Sequence, residues 1–244
     1  MNTKMKVLSL ALIGAFGYVG SAAAGTCPAG PTVPDGGAWS AASALGGALA
    51  ISTPGLDGSS CKLDTSITTN GPGVNAFVRD NTPAAEPRYR AQFVVNADAT
   101  GTLNSVQGVK VFGATTDTPA NGVSDVVRIS LTGNLAGSQK LLGVFTACAG
   151  QPGNLCSASL PLAAGNNTVE IDWNQAGGEL RVWVNNNVEA SPDSTLAGDS
   201  SGWGGVDFAG LGLSAPNSGF RTAHLNQIIS FDRFDSRRQT FIGF

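Results

Sequence analysis

The stretch NNTVEIDWNQAGGELRVWVN, residues Asn166–Asn185, decides the fold. Val169, Ile171 and Trp173 alternate with Glu170, Asp172 and Asn174, and Leu180, Val182 and Val184 alternate with Arg181, Trp183 and Asn185. A strand turns successive side chains to opposite faces, so a period of two reads as two half-buried strands. Between them Gln175–Gly178 favours a turn. A four-residue turn sets Asn174 opposite Glu179, Asp172 opposite Arg181 and Glu170 opposite Trp183. The phase follows from cost: turning Glu179 and Arg181 inward would bury charge and expose three aliphatic residues. Trp183 is therefore expected to face outward beside Glu170, Asp172 and Arg181.

The alternation recurs along the chain. In Arg88–Asn96, Tyr89, Ala91, Phe93 and Val95 share one face. Val127, Ile129 and Leu131 alternate with Arg128 and Ser130. Further strands are expected near Ala48–Ser52, Lys62–Ile67, Val74–Arg79, Val109–Gly113, Leu141–Ala147, Phe208–Ser214 and Asn226–Phe231. Ala41–Ala50 is rich in small residues and has room for a helical turn. Glu189–Gly205 is rich in Ser, Asp and Gly and reads as a long surface loop. No stretch after the first segment has convincing helical periodicity. Roughly eleven strands, each with an inner and an outer face, predict an all-β, two-sheet antiparallel sandwich. Tyr89, Phe93, Ile129, Val169, Ile171, Trp173, Val182 and Ile229 are its expected core. An outer-membrane barrel is the competing all-β answer. Runs such as Tyr89, Phe93 and Val95 are too apolar for a water-filled lumen, and no aromatic girdle is evident.

Composition agrees. Only 13% of residues are charged and 33 of 244 are Gly, which excludes a helix bundle or coiled coil. At 42% hydrophobic the chain is not a disordered acidic one. A formal charge of -3 leaves no basic footprint for nucleic acid.

Met1–Ala24 reads as a signal peptide. Lys4 and Lys6 precede the apolar run Val7–Val19, and Ala22-Ala23-Ala24 supplies the small residues before cleavage. The run is too short for a membrane span, and no later one is long enough. A secreted or periplasmic protein is expected, with residues 25–47 as an extension tied down by Cys27 and residues 48–244 as the sandwich domain. Thr26 stands before Cys27, where a lipid-attachment motif needs Gly or Ala. Cys27, Cys61, Cys148 and Cys156 make an even count in an exported chain, which suggests two disulfides. The turn-rich span between Cys148 and Cys156 makes Cys148–Cys156 with Cys27–Cys61 the simplest pairing.

The hairpin, the strand RYRAQFVV (Arg88–Val95) and the late IISFDRFDSRR (Ile228–Arg238) together resemble concanavalin A-like jelly rolls of the laminin G-like and legume-lectin-like kind. The resemblance implies sugar binding, adhesion or glycan cleavage. Many relatives of that fold hold calcium through Asp or Asn in loops; Asp193, Asp199 and Asp207 are the candidates for it here, but they lack EF-hand-like spacing and read first as a solvated loop. The run Glu170-Ile171-Asp172 is similar to the catalytic strand of lichenase-type glucanases, Glu-x-Asp-x-Glu or Glu-x-Asp-x-x-Glu. There carboxylates at alternate positions, about 6.6 Å apart, flank one glycosidic bond. Here Asn174 and Gln175 stand where the acid/base Glu belongs, and an amide cannot give and take a proton in turn. An exposed Asp172–Arg181 ion pair is the expected use of these charges. His224 is the only His, and without a Gly-x-Ser-x-Gly elbow it reads as a surface or loop residue.

Trp183, with Arg181, Glu170 and Asp172 around it, has the make-up of a sugar platform: a flat apolar ring beside hydrogen-bonding groups. Trp203, in Ser-Gly-Trp-Gly-Gly, is a second expected exposed aromatic. The function expected is a secreted, non-enzymatic module that binds carbohydrate or a cell-surface partner. The alternatives are a structural or adhesive surface subunit and a glycan hydrolase or lyase.

Overall fold

The computed structural model describes residues 26–120, 123–148, 151–198, 202–237 and 239–243; of residues 119, 120, 147, 148 and 151–155 it describes the backbone. The expected signal peptide lies outside these residues. The strands are β1 (Ala41–Ser43), β2 (Gly47–Ser52), β3 (Lys62–Ile67), β4 (Ala76–Asp80), β5 (Arg88–Asn96), β6 (Gly108–Ala120) and β7 (Val123–Gly133). They continue with β8 (Lys140–Cys148), β9 (Gln151–Pro161), β10 (Asn166–Asn174), β11 (Glu179–Val184), β12 (Ser194–Ala197), β13 (Phe208–Ser214) and β14 (Ile229–Arg237). They form two seven-stranded antiparallel sheets, β1-β4-β13-β6-β7-β8-β9 and β12-β11-β10-β5-β14-β3-β2. The fold is the expected jelly-roll sandwich.

The core lies between the sheets. Tyr89, Phe93, Ile129, Val169, Ile171, Trp173, Val182 and Ile229 are all buried, as the alternation requires. Phe93 stacks on Phe112 across the gap at 5.5 Å between centroids and tilts against Phe231 at 6.4 Å. The β10–β11 register is the expected one, with Glu170 opposite Trp183, Asp172 opposite Arg181 and Asn174 opposite Glu179.

Three strands escape the sequence pattern: β1, β9 and β12. Each is a sheet edge. An edge strand pairs on one side only and buries little, and these three are built largely of small and polar residues, so their alternation carries little contrast in hydrophobicity. Ala41–Ala50 accordingly holds β1 and most of β2 rather than a helical turn, and β12 lies inside the expected long loop. A short helix, α1 (Ser218–Ala223), precedes β14. Its N-cap is Asn217, whose side chain accepts from Phe220 N–H.

Cys27 is bonded to Cys61, and Cys156 is also disulfide-bonded. The Cys148 side of the second expected pair lies outside the described side chains. Trp39, between Cys27 and β1, packs on Phe234 of β14 with centroids 4.7 Å apart.

Trp173 is 1% exposed in the centre of the sandwich. Trp173→Ala is expected to cost about 3–5 kcal/mol in urea unfolding; a loss under about 1 kcal/mol would place the core elsewhere.

Candidate functional site

The face expected to carry the site is the outer face of the second sheet. β10 runs between β11 and β5, so Glu170 lies between Trp183 and Gln92, and Asp172 between Arg181 and Arg90. Asp172 does not pair with Arg181. It accepts from Arg88 through Nε at 3.0 Å and Nη2 at 2.7 Å, and from Arg90 Nη2 at 2.8 Å. Arg181 instead meets Glu179 at 2.7 Å. The two arginines of β5 offer forked donors from one side, a better match to a carboxylate than a single cross-strand arm. Arg90 Nη2 also meets Glu189 at 2.9 Å.

The expected exposure of the Asp172 ion pair is corrected as well. Asp172 and Arg90 have side chains only 2% exposed. Burial alone would raise the pKa of Asp172. The hydrogen bonds and charges of Arg88 and Arg90 outweigh it and hold the carboxyl below its ordinary value. The same contact raises Arg88, mainly through its hydrogen bond to Asp172.

Trp183 is on the expected face, but its ring is buried, 1% exposed. The segment after β14 covers it. Phe241 meets the Trp183 ring edge-on at 5.3 Å, and Trp183 Nε1 donates to the Val188 carbonyl at 3.1 Å. Ile242 and Gly243 donate their N–H groups to Glu170 at 2.9 and 3.0 Å. The sequence cannot show this cover, because Phe241 lies far along the chain from the hairpin it caps. Trp203 is also buried rather than exposed, and its Nε1 donates to the Val123 carbonyl at 2.6 Å.

The expected calcium ligands are used otherwise where they are described. Asp193 accepts from Val184 N–H, and Asp207 from Ala85 and Asp117 N–H. Asp199 lies outside the described residues. Among the described residues, no three His, Cys, Asp or Glu side chains cluster as metal ligands would. His224 is 5% exposed, in contact with Phe220 and Gln227, rather than a surface residue.

The outer face of the first sheet carries a furrow that sequence reading missed. Register sets Arg79, Gly210, Gly113, Arg128 and Phe145 in one row across β4, β13, β6, β7 and β8. Two open cavities, of about 200 and 500 Å³, lie along it and share Lys110. The first is lined by Phe77, Arg79 and Phe208, the second by Arg128, Gly143 and Phe145. Gly113, Gly143 and Gly210 are mid-strand and lack positive φ, so the backbone does not demand glycine there. Their missing side chains are what open the floor.

The guanidinium of Arg79 lies 4.7 Å from the centroid of Phe208, and that of Arg128 lies 4.3 Å from Phe145. Neither arginine has an ion-pair or hydrogen-bond partner among the described residues, and Arg128 Nε is buried without one. Lys110 meets Asp125 at 3.0 Å. The sequence signal for the furrow is Gly inside a strand pattern, with Arg or Phe at alternate positions on neighbouring strands.

Comparison with protein-family models and with curated proteins finds no match. Solved structures share the fold. An alginate lyase from Pseudomonas aeruginosa superposes with a TM-score of 0.53 at 13% identity, over 73% of this chain and 83% of that one. A botulinum neurotoxin type C structure, whose subject is interaction with two ganglioside molecules, gives 0.51 at 11%, over 83% of this chain and 44% of that one. An alginate lyase from an Alteromonas species gives 0.49 at 11%, over 80% and 95%. At these identities the likeness is one of fold.

Two outcomes test this face. Asp172→Asn should destabilise the protein by about 2–3 kcal/mol, because buried Arg90 is left with only the exposed Glu189 as its carboxylate partner. The Asp172 carboxylate stabilises fully above the ordinary carboxylate pKa, about pH 4, and that contribution is lost as pH falls through its lower folded value. The variant should therefore show a shallower stability loss below about pH 4; an unchanged acid profile would show that the arginine contacts do not hold the charge. Trp183→Ala should cost about 3 kcal/mol by thermal or urea unfolding, as for other buried tryptophans. Unchanged stability would mean that the ring is uncovered in solution.

Proposed function

We propose that the protein is an exported, non-enzymatic module that binds a carboxylate-bearing glycan along the glycine-floored furrow of the first sheet. The observation that carries this is the pair Arg79 and Arg128, each laid on a phenylalanine and without an ion-pair partner among the described residues. They stand three strands apart, about 14 Å, on either side of Gly210 and Gly113. An arginine stacked on a ring is oriented at little entropic cost and keeps its N–H fork free for a planar anion. Phe77, Phe145 and Phe208 offer apolar surface for sugar rings, while Ser130, Thr132 and Thr115 offer hydroxyls.

Several facts agree with this reading. The disulfide Cys27–Cys61 suits an oxidising compartment. Among the described residues no helix is long and apolar enough to cross a membrane. The sandwich superposes on an alginate lyase and on a botulinum neurotoxin type C structure concerned with ganglioside interaction. The furrow's cations, rings and hydroxyls suit recognition, and Lys110, its amine, is held by Asp125.

The test is binding to a polyuronate oligosaccharide and to a neutral glucan of equal length. The polyuronate should bind more tightly, and Arg128→Ala should weaken it about tenfold or more, the share of one charge-assisted contact. Gly113→Leu should block the floor with the fold intact by circular dichroism. Equal affinity for both glycans, or binding untouched by either substitution, would sink the proposal. Product formation from the polyuronate, abolished by a substitution in the furrow, would replace it with a lyase.

A further inference from the structure

Residues 241–243 lie on the outer face of the second sheet as a ligand lies on a site. The described hydrogen bonds of this segment run between its main chain and side chains of the sheet. Ile242 N–H donates to Glu170 Oε1 at 2.9 Å and Gly243 N–H to Glu170 Oε2 at 3.0 Å. Gln92 Nε2 donates to the Gly243 carbonyl at 2.7 Å. Phe241 rests against Trp183, and the Arg90 guanidinium is 5.8 Å from the Phe241 centroid. None of these contacts belongs to a strand ladder.

The sheet reads the segment position by position. Trp183 and Arg90 take an aromatic ring first. Both oxygens of Glu170 take two consecutive main-chain N–H groups, and Gln92 takes the carbonyl after them. The third position disfavours a side chain: Gly243 has φ +67°, and a Cβ there would stand 2.7 Å from Asn187 Oδ1, so the amide would have to shift.

Burial makes the arrangement costly unless it serves recognition. Glu170, Gln92, Arg90 and Asp172 are each at most 4% exposed. Taking such charges out of water costs several kcal/mol per ion, and a sheet face facing solvent would incur none of it. Arg90 still has Nε and Nη1 buried without a partner among the described residues, donors that residues 241–243 leave unused.

We propose that the Trp183–Glu170–Gln92 row, with Arg90, is a peptide-binding cleft for a segment of the form aromatic-x-Gly. Phe241–Gly243 fills it within the chain as a removable strap, and the same segment of a second copy is its occupant in trans. A tethered segment has an effective concentration on the order of millimolar. A free peptide therefore enters only when the strap is weakened or removed.

The probe is a fluorescent hexapeptide of residues 239–244, Gln-Thr-Phe-Ile-Gly-Phe, followed by anisotropy. Full-length Phe241→Ala and a chain ending at Arg237 should bind it at least tenfold more tightly than wild type. Glu170→Gln in the Phe241→Ala background should lower that affinity about tenfold, and so should Ala in place of the first Phe of the peptide. If the shortened chain does not fold, Phe241→Ala alone decides. No binding by Phe241→Ala, or binding insensitive to both the Glu170 and the peptide substitutions, overturns the proposal. The furrow reading is untouched by either result, since Arg79 and Arg128 lie on the other sheet.

Discussion

The inner faces of β5 and β10 have to be covered by those of β6 and β7 before either outer face has anything to stand on. Phe93 stacks on Phe112, Tyr89 and Trp173 lie opposite each other on neighbouring strands, and Ile129 and Ile171 are fully buried. These residues sit at every second position, so the same packing commits every other residue to the outside. Glu170, Asp172, Arg88, Arg90 and Gln92 are placed outward by Phe93, Val95, Ile171 and Trp173, not by any preference of their own.

The two outer faces then take opposite courses. On the second sheet, charge is dense and has been taken out of water. Arg88 and Arg90 converge on Asp172, and the chain lays Phe241–Gly243 over Glu170 and Trp183. On the first sheet, charge is sparse and stays accessible. Arg79 and Arg128 lean on phenylalanines across a floor of glycines, with no ion-pair partner among the described residues. One face satisfies most of its polar groups internally, Arg90 Nε and Nη1 aside, while the other leaves its arginines to a partner, and this difference separates a closed cleft from an open furrow.

Alternation made most of the fold legible. The strands at Lys62–Ile67, Arg88–Asn96 and Phe208–Ser214 match the expected bounds, and the β10–β11 register follows from a four-residue turn at Gln175–Gly178. β1, β9 and β12 are edges whose burial alternates, but they are built largely of small and polar residues, so the alternation carries little contrast in hydrophobicity. The site was less legible. Trp183 was placed on its true face, yet its cover comes from Phe241. The partner of Asp172 was read as Arg181, which is near in sequence, when Arg88 and Arg90 of β5 hold it. The furrow is not legible in sequence because Gly113, Gly143 and Gly210 look like isolated weak points until the sheet pairs Gly113 with Gly210 and sets Gly143 in the next row, two strands away.

By itself the sequence determined which side chains face inward and which outward, because a period of two is a local property of each strand and burying charge is costly at any position. Only the tertiary structure decided what stands beside and above those outward residues. Sheet order put β5 next to β10, gave Asp172 its arginines, and paired Gly113 with Gly210 between Arg79 and Arg128. The path of the chain after β14 turned an expected exposed platform into a covered cleft. Contacts between segments far apart in sequence depend on which strands pair and where a chain returns, and neither leaves a periodic mark on the residues that meet.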